Sequence, residues 1–366
     1  VAEARATAVP APPAAGAPAA GALPVAAARP AAVPGTARLP RLRALTGSYG
    51  FRLAAVLLAA VAAAVGVLAY GNPAAPGSAG FWIIVQSRFA SVGTILVVAF
   101  CQGVATVAFH TVTQNRILTP SILGFDALYR VIQTGIVFLL GAGALAATDG
   151  LAKVALQSAV MVAFATVLYG WLFTGTRANL HLLLLVGVVL GMGFGSLSTF
   201  MQRLLTPSEF DILSARLFGN ISASDASYLP WGALVCVVVG TVLWRRRHVL
   251  DVVALGRDTA VSLGVRHRRE VLITLVLVAV LISVSTSLVG PMTFFGFVVA
   301  MLTYQVVGDS RHARTLPMVA AVAAATLLGA YFVLRHVFYA AGLISVIIEL
   351  GGGLVFLVHL IRKGLR

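Results

Sequence analysis

Lys153 and Lys363 are the two lysines of the chain, and neither can serve a nucleotide. A phosphate-cradling P-loop needs Gly-x-x-x-x-Gly-Lys followed by Ser or Thr, and both lysines lack those glycines and that hydroxyl. No His-Glu-x-x-His or Cys-x-x-Cys spacing occurs, so zinc and dithiol chemistry have no ligand set. Cys101 and Cys236 stand singly in apolar runs and read as buried thiols. The sequence offers no catalytic residue, no metal site and no cofactor site. Any ATP hydrolysis must be done by another subunit.

Glu349 lies inside an apolar run, among Ile347, Ile348 and Leu350. A carboxylate at bilayer depth is costly and faces a polar partner or a wet cavity. Three roles fit it: structural hydrogen bonding, lining of a pathway or gate, and proton coupling. Gly187, Gly191 and Gly195 recur every four residues, the spacing that lets membrane helices approach closely. Packing within the chain, a pathway lining and a subunit interface are all consistent with that stripe. Gly351, Gly352 and Gly353 weaken the last apolar run, as a kink or a gate element would. Arg88 and Arg335 stand at the ends of apolar runs, where arginines snorkel to lipid phosphate or meet an acidic partner.

These residues need a scaffold, and composition says which. The chain has 366 residues, 60% hydrophobic and 10% charged, with a mean hydropathy of +0.98. No soluble domain hides that much apolar surface, so the solvent is lipid. The runs are continuous and do not alternate, which excludes a β-barrel. Ten spans are expected, at 52–70, 89–112, 121–143, 152–173, 180–203, 229–246, 270–289, 292–308, 316–334 and 343–361. Span 121–143 is the weakest, since Asp126, Arg130 and Gln133 suggest a wet or re-entrant start. Residues 204–228 read as an amphipathic helix at the outer interface.

The net charge of +15 would suggest nucleic acid in a soluble protein. Here it follows topology. With ten spans and both termini inside, 21 of the 26 Lys and Arg residues fall on the inner side. A shift by one span destroys that asymmetry, so the positive-inside rule places both termini in the cytoplasm and excludes a nucleic-acid partner. Seven of those arginines lie in the loop between Trp244 and Val271. Its middle carries Val253, Leu255, Ala260 and Leu263 among charges and reads as a short helix offered to another protein. Residues 1–45 are rich in Ala and Pro and are expected to be a disordered cytoplasmic tail ahead of a membrane domain at 46–366. Their prolines break any signal-peptide core, and Val1 fits either an alternative start or a trimmed chain.

Three segments together resemble the FecCD-like permeases of iron-chelate and cobalamin ABC importers. Asn115 to Asp126 (NRILTPSILGFD) resembles that family's Asn-Pro-Leu-Ala-x-Pro-x-Leu-Leu-Gly segment. Gly290 to Val299 (GPMTFFGFVV) is similar to its Gly-Pro-Ile-x-Phe-x-Gly-Leu-Val stretch. Leu255-Gly256, Ala260 and Leu263-Gly264-Val265 match its cytoplasmic coupling segment. The resemblance implies the type II ABC-importer permease architecture: two permease subunits, two separate ATPase subunits and an extracytoplasmic binding lipoprotein. It also implies that a helix at Asp251–Gly264 sits in a cleft of the ATPase, with Asp251, Leu255, Gly256, Arg257, Ala260, Leu263 and Gly264 as coupling residues. Arg88 stands where the family begins an Arg-x-Pro-Arg element for docking the binding protein, although Ala90 and Ser91 replace its last two residues. Arg335 lies near a second such position.

After Gly-Leu-Val the family usually continues Pro-His-x-x-Arg, whereas this chain has Ala300-Met301-Leu302-Thr303-Tyr304. That departure is similar to the branch for ferric catecholate or petrobactin-type siderophores, whose permeases usually work as unequal pairs. The resemblance therefore implies a non-enzymatic permease for a ferric siderophore, working as a heterodimer in the cytoplasmic membrane. Cobalamin or haem import is the alternative within the family. An ion-coupled secondary transporter using Glu349 and Asp126 is the alternative from another class.

Overall fold

The computed structural model describes residues 48–141, 143, 151–174, 180–217, 221 and 226–338, with 348, 351, 353, 354, 357 and 361 near the end. The tail at 1–45, Glu349 and Gly352 lie outside the described residues. Twelve α-helices follow in order: α1 (Tyr49–Ala69), α2 (Ala79–Thr113), α3 (Phe125–Leu140), α4 (Leu151–Thr174), α5 (Leu180–Arg203) and α6 (Pro207–Leu217). Then come α7 (Leu229–Arg245), α8 (Arg247–Val253), α9 (Arg257–Ser262), α10 (His267–Val289), α11 (Phe295–Val307) and α12 (His312–His336). Single 3-10 turns occupy Pro120–Leu123 and Ala226–Tyr228, and no strand occurs among the described residues.

Among the described residues, six helices, α1, α2, α4, α5, α10 and α12, are long and apolar enough to cross a bilayer alone. Helices α7 and α8 pass together but bend by 61° at Arg246. Nine of the ten expected spans coincide with helices, and the described positions of the tenth are helical. The protein is an all-α, multi-pass membrane protein with about ten transmembrane helices.

Some boundaries depart from expectation. Helix α2 starts ten residues early, capped by Ser78, whose hydroxyl accepts the Phe81 N–H at 3.2 Å. It is the central element, buried almost continuously from Val92 to Thr113 against α7, α10, α11 and α12. Helix α11 has 13 residues, about 20 Å at the helical rise, too short to span alone. The Gly290–Phe294 stretch before it is irregular, which lipid would not tolerate, but protein covers most of it.

The weak third span begins with a short 3-10 turn, and its Asp126 and Gln133 are buried within the bundle. The 3-10 turn ends on Gly124 at φ 91, a left-handed position that suits glycine, and α3 starts there. Asp126 in the first turn of α3 accepts the Thr293 hydroxyl at 2.8 Å. The two irregular segments that carry the family resemblance thus meet inside the bundle. Helix α6 is the expected amphipathic piece. Thr206 and Glu209 form a reciprocal cap: the Thr206 N–H donates to Glu209 Oε2 at 3.0 Å, and the Glu209 N–H to Thr206 Oγ1 at 3.4 Å. The Thr206 N–H and hydroxyl hold the Glu209 carboxyl below its usual range.

Candidate coupling site

The arginine-rich loop is tied to the membrane helices by several side-chain contacts. The expected single helix over Asp251–Gly264 is two helices, α8 and α9, separated at Ala254–Gly256. Gly256 has φ 101 and ψ 163, a backbone region open essentially to glycine alone, and it breaks the helix. Gly264, at φ 81, closes α9 before α10 begins. The Val265 N–H donates to the Ala260 carbonyl at 2.9 Å across that second turn.

This double-turn shape sorts the side chains. Val253 and Ala260 are fully buried, whereas Leu255, Val261 and Leu263 are 56–60% exposed. Arg257 beside them is exposed as well. Large apolar side chains standing exposed among arginines are the kind of surface that other molecules cover.

Three contacts connect the loop to the membrane helices. Asp251 Oδ1 accepts the His312 N–H at 2.8 Å and lies 2.6 Å from His312 Nδ1. The other ring nitrogen, Nε2, lies 2.7 Å from the Thr111 hydroxyl of α2. The chain Asp251–His312–Thr111 therefore runs from the loop through the first turn of α12 to α2, and His312 and Thr111 are buried. The Gln114 amide donates to the Val253 carbonyl at 3.1 Å. Arg246 and Glu270 form a close ion pair at the corner between α7 and α10. Next to His312, the Asp309 carboxyl is held below the usual range, chiefly by the Arg311 N–H at 3.1 Å, with the Arg314 guanidinium at 3.0 Å adding to it.

His312, Thr111 and Gln114 were not singled out from sequence. The one available signal was that His312 directly follows the polar Asp309-Ser310-Arg311 break, where a helix could begin four residues before the expected 316. Tyr304, noted above as a departure from the family pattern, also has a place. Its hydroxyl lies 3.1 Å from His110 Nδ1, and the Arg116 guanidinium stacks 4.5 Å from the ring centroid. His110 Nε2 lies 2.8 Å from the Leu118 carbonyl.

The remaining sequence candidates are spread over the molecule. Arg88 is not at a helix mouth but nine residues into α2 and buried. Its guanidinium donates to the carbonyls of Val67 (3.2 Å), Leu68 (3.2 Å), Tyr70 (2.8 Å) and Gly71 (3.3 Å), the unsatisfied end of α1. Arg335 is partly buried in the last turn of α12, 3.4 Å from the Tyr331 hydroxyl. Gly187 and Gly191 pack on the Leu123–Gly124 turn, and a Cβ on Gly187 would come 3.0 Å from Leu123 Cα. Gly195 and Gly351 have open space around them. Cys101 and Cys236 are both free, with their sulfurs 3.5 Å apart inside the bundle. No cluster suited to a metal ion occurs among the described residues.

A multi-pass helical bundle, with irregular elbows meeting in its interior and apolar side chains exposed on a loop at one end, has the architecture of a membrane permease. The model of the FecCD transport family matches residues 53–362, and the chain belongs to that family. It is 45% identical over 298 residues to the petrobactin import system permease protein FatC of Bacillus anthracis, covering 81% of this chain and 84% of FatC. A second permease protein of the petrobactin import system in that organism, FatD, is 25% identical over 274 residues, covering 74% of this chain and 78% of FatD. A solved inward-facing structure, assigned to a metal-chelate type ABC transporter, superposes with a TM-score of 0.74 at 21% identity. It covers 86% of this chain and is itself covered completely.

Proposed function

We propose that this chain is a permease subunit of an ABC importer that carries a ferric siderophore of the petrobactin class inward across the cytoplasmic membrane. The observation that carries the coupling half is the exposed Leu255, Val261 and Leu263 around the Gly256 break. The likeness to FatC carries the substrate half. Both termini and the arginine-rich loop face the cytoplasm in this reading. Partner ATPases close on ATP and displace α8 and α9. The Asp251–His312, Gln114–Val253 and Arg246–Glu270 contacts pass that displacement to α12, α2 and α10 together. The bundle is then biased between outward-open and inward-open states, a population shift driven by differential binding. The siderophore undergoes no covalent chemistry on this chain.

Arg335 is the docking residue for an extracytoplasmic binding lipoprotein in this reading, and Arg88 supports that rim by capping α1 from within. Gly195, Gly351 and Glu349 belong to the pathway or its gate, while Gly191 acts as a packing glycine.

Uptake of radioactive ferric petrobactin by cells that depend on this chain tests the proposal. Gly256→Val forces a β-branched residue into a glycine-only backbone region at a cost of about 1–3 kcal/mol. Arg257→Glu reverses the charge beside the exposed leucine. Both variants should reach the membrane at wild-type levels and lose most uptake. Normal ATP-driven uptake by both would sink the coupling assignment, and uptake driven by an ion gradient without an ATPase would sink the transporter class.

A further inference from the structure

Two apolar grooves open on the surface of the bundle beside α7, and both end at Trp244. The first, about 510 Å³, runs between α2 and α7 along Leu96, Val97, Ala233, Val237 and Thr241. The second, about 210 Å³, lies between α2, α7 and α12 along Val104, Leu243, Leu316, Pro317 and Ala320. They share Phe100, Gly240 and Trp244 as a common wall. Gly240 makes that wall possible, because a Cβ there would come 2.7 Å from the Phe100 ring. The larger groove extends from Ala233 to Trp244. At the helical rise that is about 16 Å, the depth of one leaflet of a ~30 Å hydrocarbon core.

The mouth of the grooves is cationic. Arg245 is exposed and has no acidic partner among the described residues. Arg247 stacks its guanidinium 4.7 Å from the Trp244 ring and donates to the Trp244 carbonyl at 2.9 Å, leaving its remaining N–H groups unspent. Arg246 is committed to Glu270. A tryptophan with flanking arginines at the end of an apolar helix sits at headgroup level.

We propose that this double groove binds one two-chain anionic phospholipid from the leaflet next to the arginine-rich loop. Its acyl chains straddle the Phe100–Gly240 wall, and its phosphate lies between Arg245 and Arg247. A second copy of this chain meeting the same face would bring like arginines together, so the charge pattern selects a lipid over a self-contact. The site lies against α7 at the point where it bends into α8. Its occupant therefore braces the root of the coupling loop, independently of the cargo.

Fluorescence quenching of Trp244 tests the site. The full chain carrying Trp82→Phe, Trp171→Phe and Trp231→Phe, reconstituted in phosphatidylcholine bilayers, keeps Trp244 as its one tryptophan. It would be titrated with phosphatidylglycerol brominated on its acyl chains, and separately with phosphatidylcholine carrying the same chains. Preferential binding predicts half-quenching at a mole fraction about fivefold lower for the anionic lipid per engaged arginine. Arg245→Gln with Arg247→Gln should bring the two curves together. Identical curves in the unmodified site would overturn headgroup recognition. Failure of both lipids to quench Trp244 would overturn lipid occupancy and point to a protein on that face.

Discussion

At the residue scale, the decisive group is His312, a buried imidazole placed between the Asp251 carboxylate and the Thr111 hydroxyl. Asp251 accepts two bonds from one residue, its ring and its backbone N–H, so the loop and the start of α12 move as a unit. Charge-assisted bonds contribute about 1.5–3 kcal/mol where a neutral bond contributes about half that. Asp251→Asn keeps the shape and removes the charge. Uptake per ATP hydrolysed should fall about tenfold, with hydrolysis itself retained. A double-mutant cycle with His312→Gln should be strongly non-additive, since both changes break one link. Additive losses would mean that Asp251 and His312 act separately and that force reaches α12 by another route.

At the scale of elements, close approach between α2 and α11 depends on the missing side chain of Gly296. A Cβ there would stand 2.1 Å from Thr106 Oγ1 and 3.3 Å from the Gln102 carbonyl oxygen. Gly296→Ala should destabilise the purified protein by about 1–3 kcal/mol, read as a lowered thermal midpoint. Thr106→Ala in the same chain should restore part of that loss by removing the clashing oxygen. Gly195→Ala, with open space around it, should be neutral or slightly stabilising through helix propensity. An equal loss at both glycines would refute the packing argument. The contrast also shows what was legible beforehand. Hydropathy located nearly every helix, because lipid demands long apolar runs. The Gly187–Gly191–Gly195 spacing named a helix face but could not separate its packed members from its open one. Nor could it show that Arg88 turns inward, because the carbonyls at the end of α1 that attract it are known only once the helices are packed. The split of the coupling segment at Gly256 was hidden for a related reason, since glycine is compatible with several backbone conformations and contacts choose among them.

At the scale of the whole molecule, the proposed importer gives this chain one coupling loop and leaves ATP hydrolysis to other subunits. In the proposed importer a pair of ATPases drives transport, and a pair needs two coupling loops facing it. FatC and FatD are two different permease proteins of one import system, both related to this chain, the first far more closely. An unequal pair follows if this chain takes the FatC-like place. Such a pair would put Leu255, Val261 and Leu263 against one ATPase and a different loop against the other. Expressed alone, the chain should then support no siderophore uptake and retain little ATPase. Co-expressed with a FatD-like permease and the ATPase, it should yield a complex whose native mass contains one copy of each permease and two ATPases. Leu255→Asp with Leu263→Asp should strip the ATPase from this side and leave the permease pair intact, because most of each side chain is exposed. A functional complex containing two copies of this chain and no second permease would overturn the unequal pair while leaving the coupling loop unchanged.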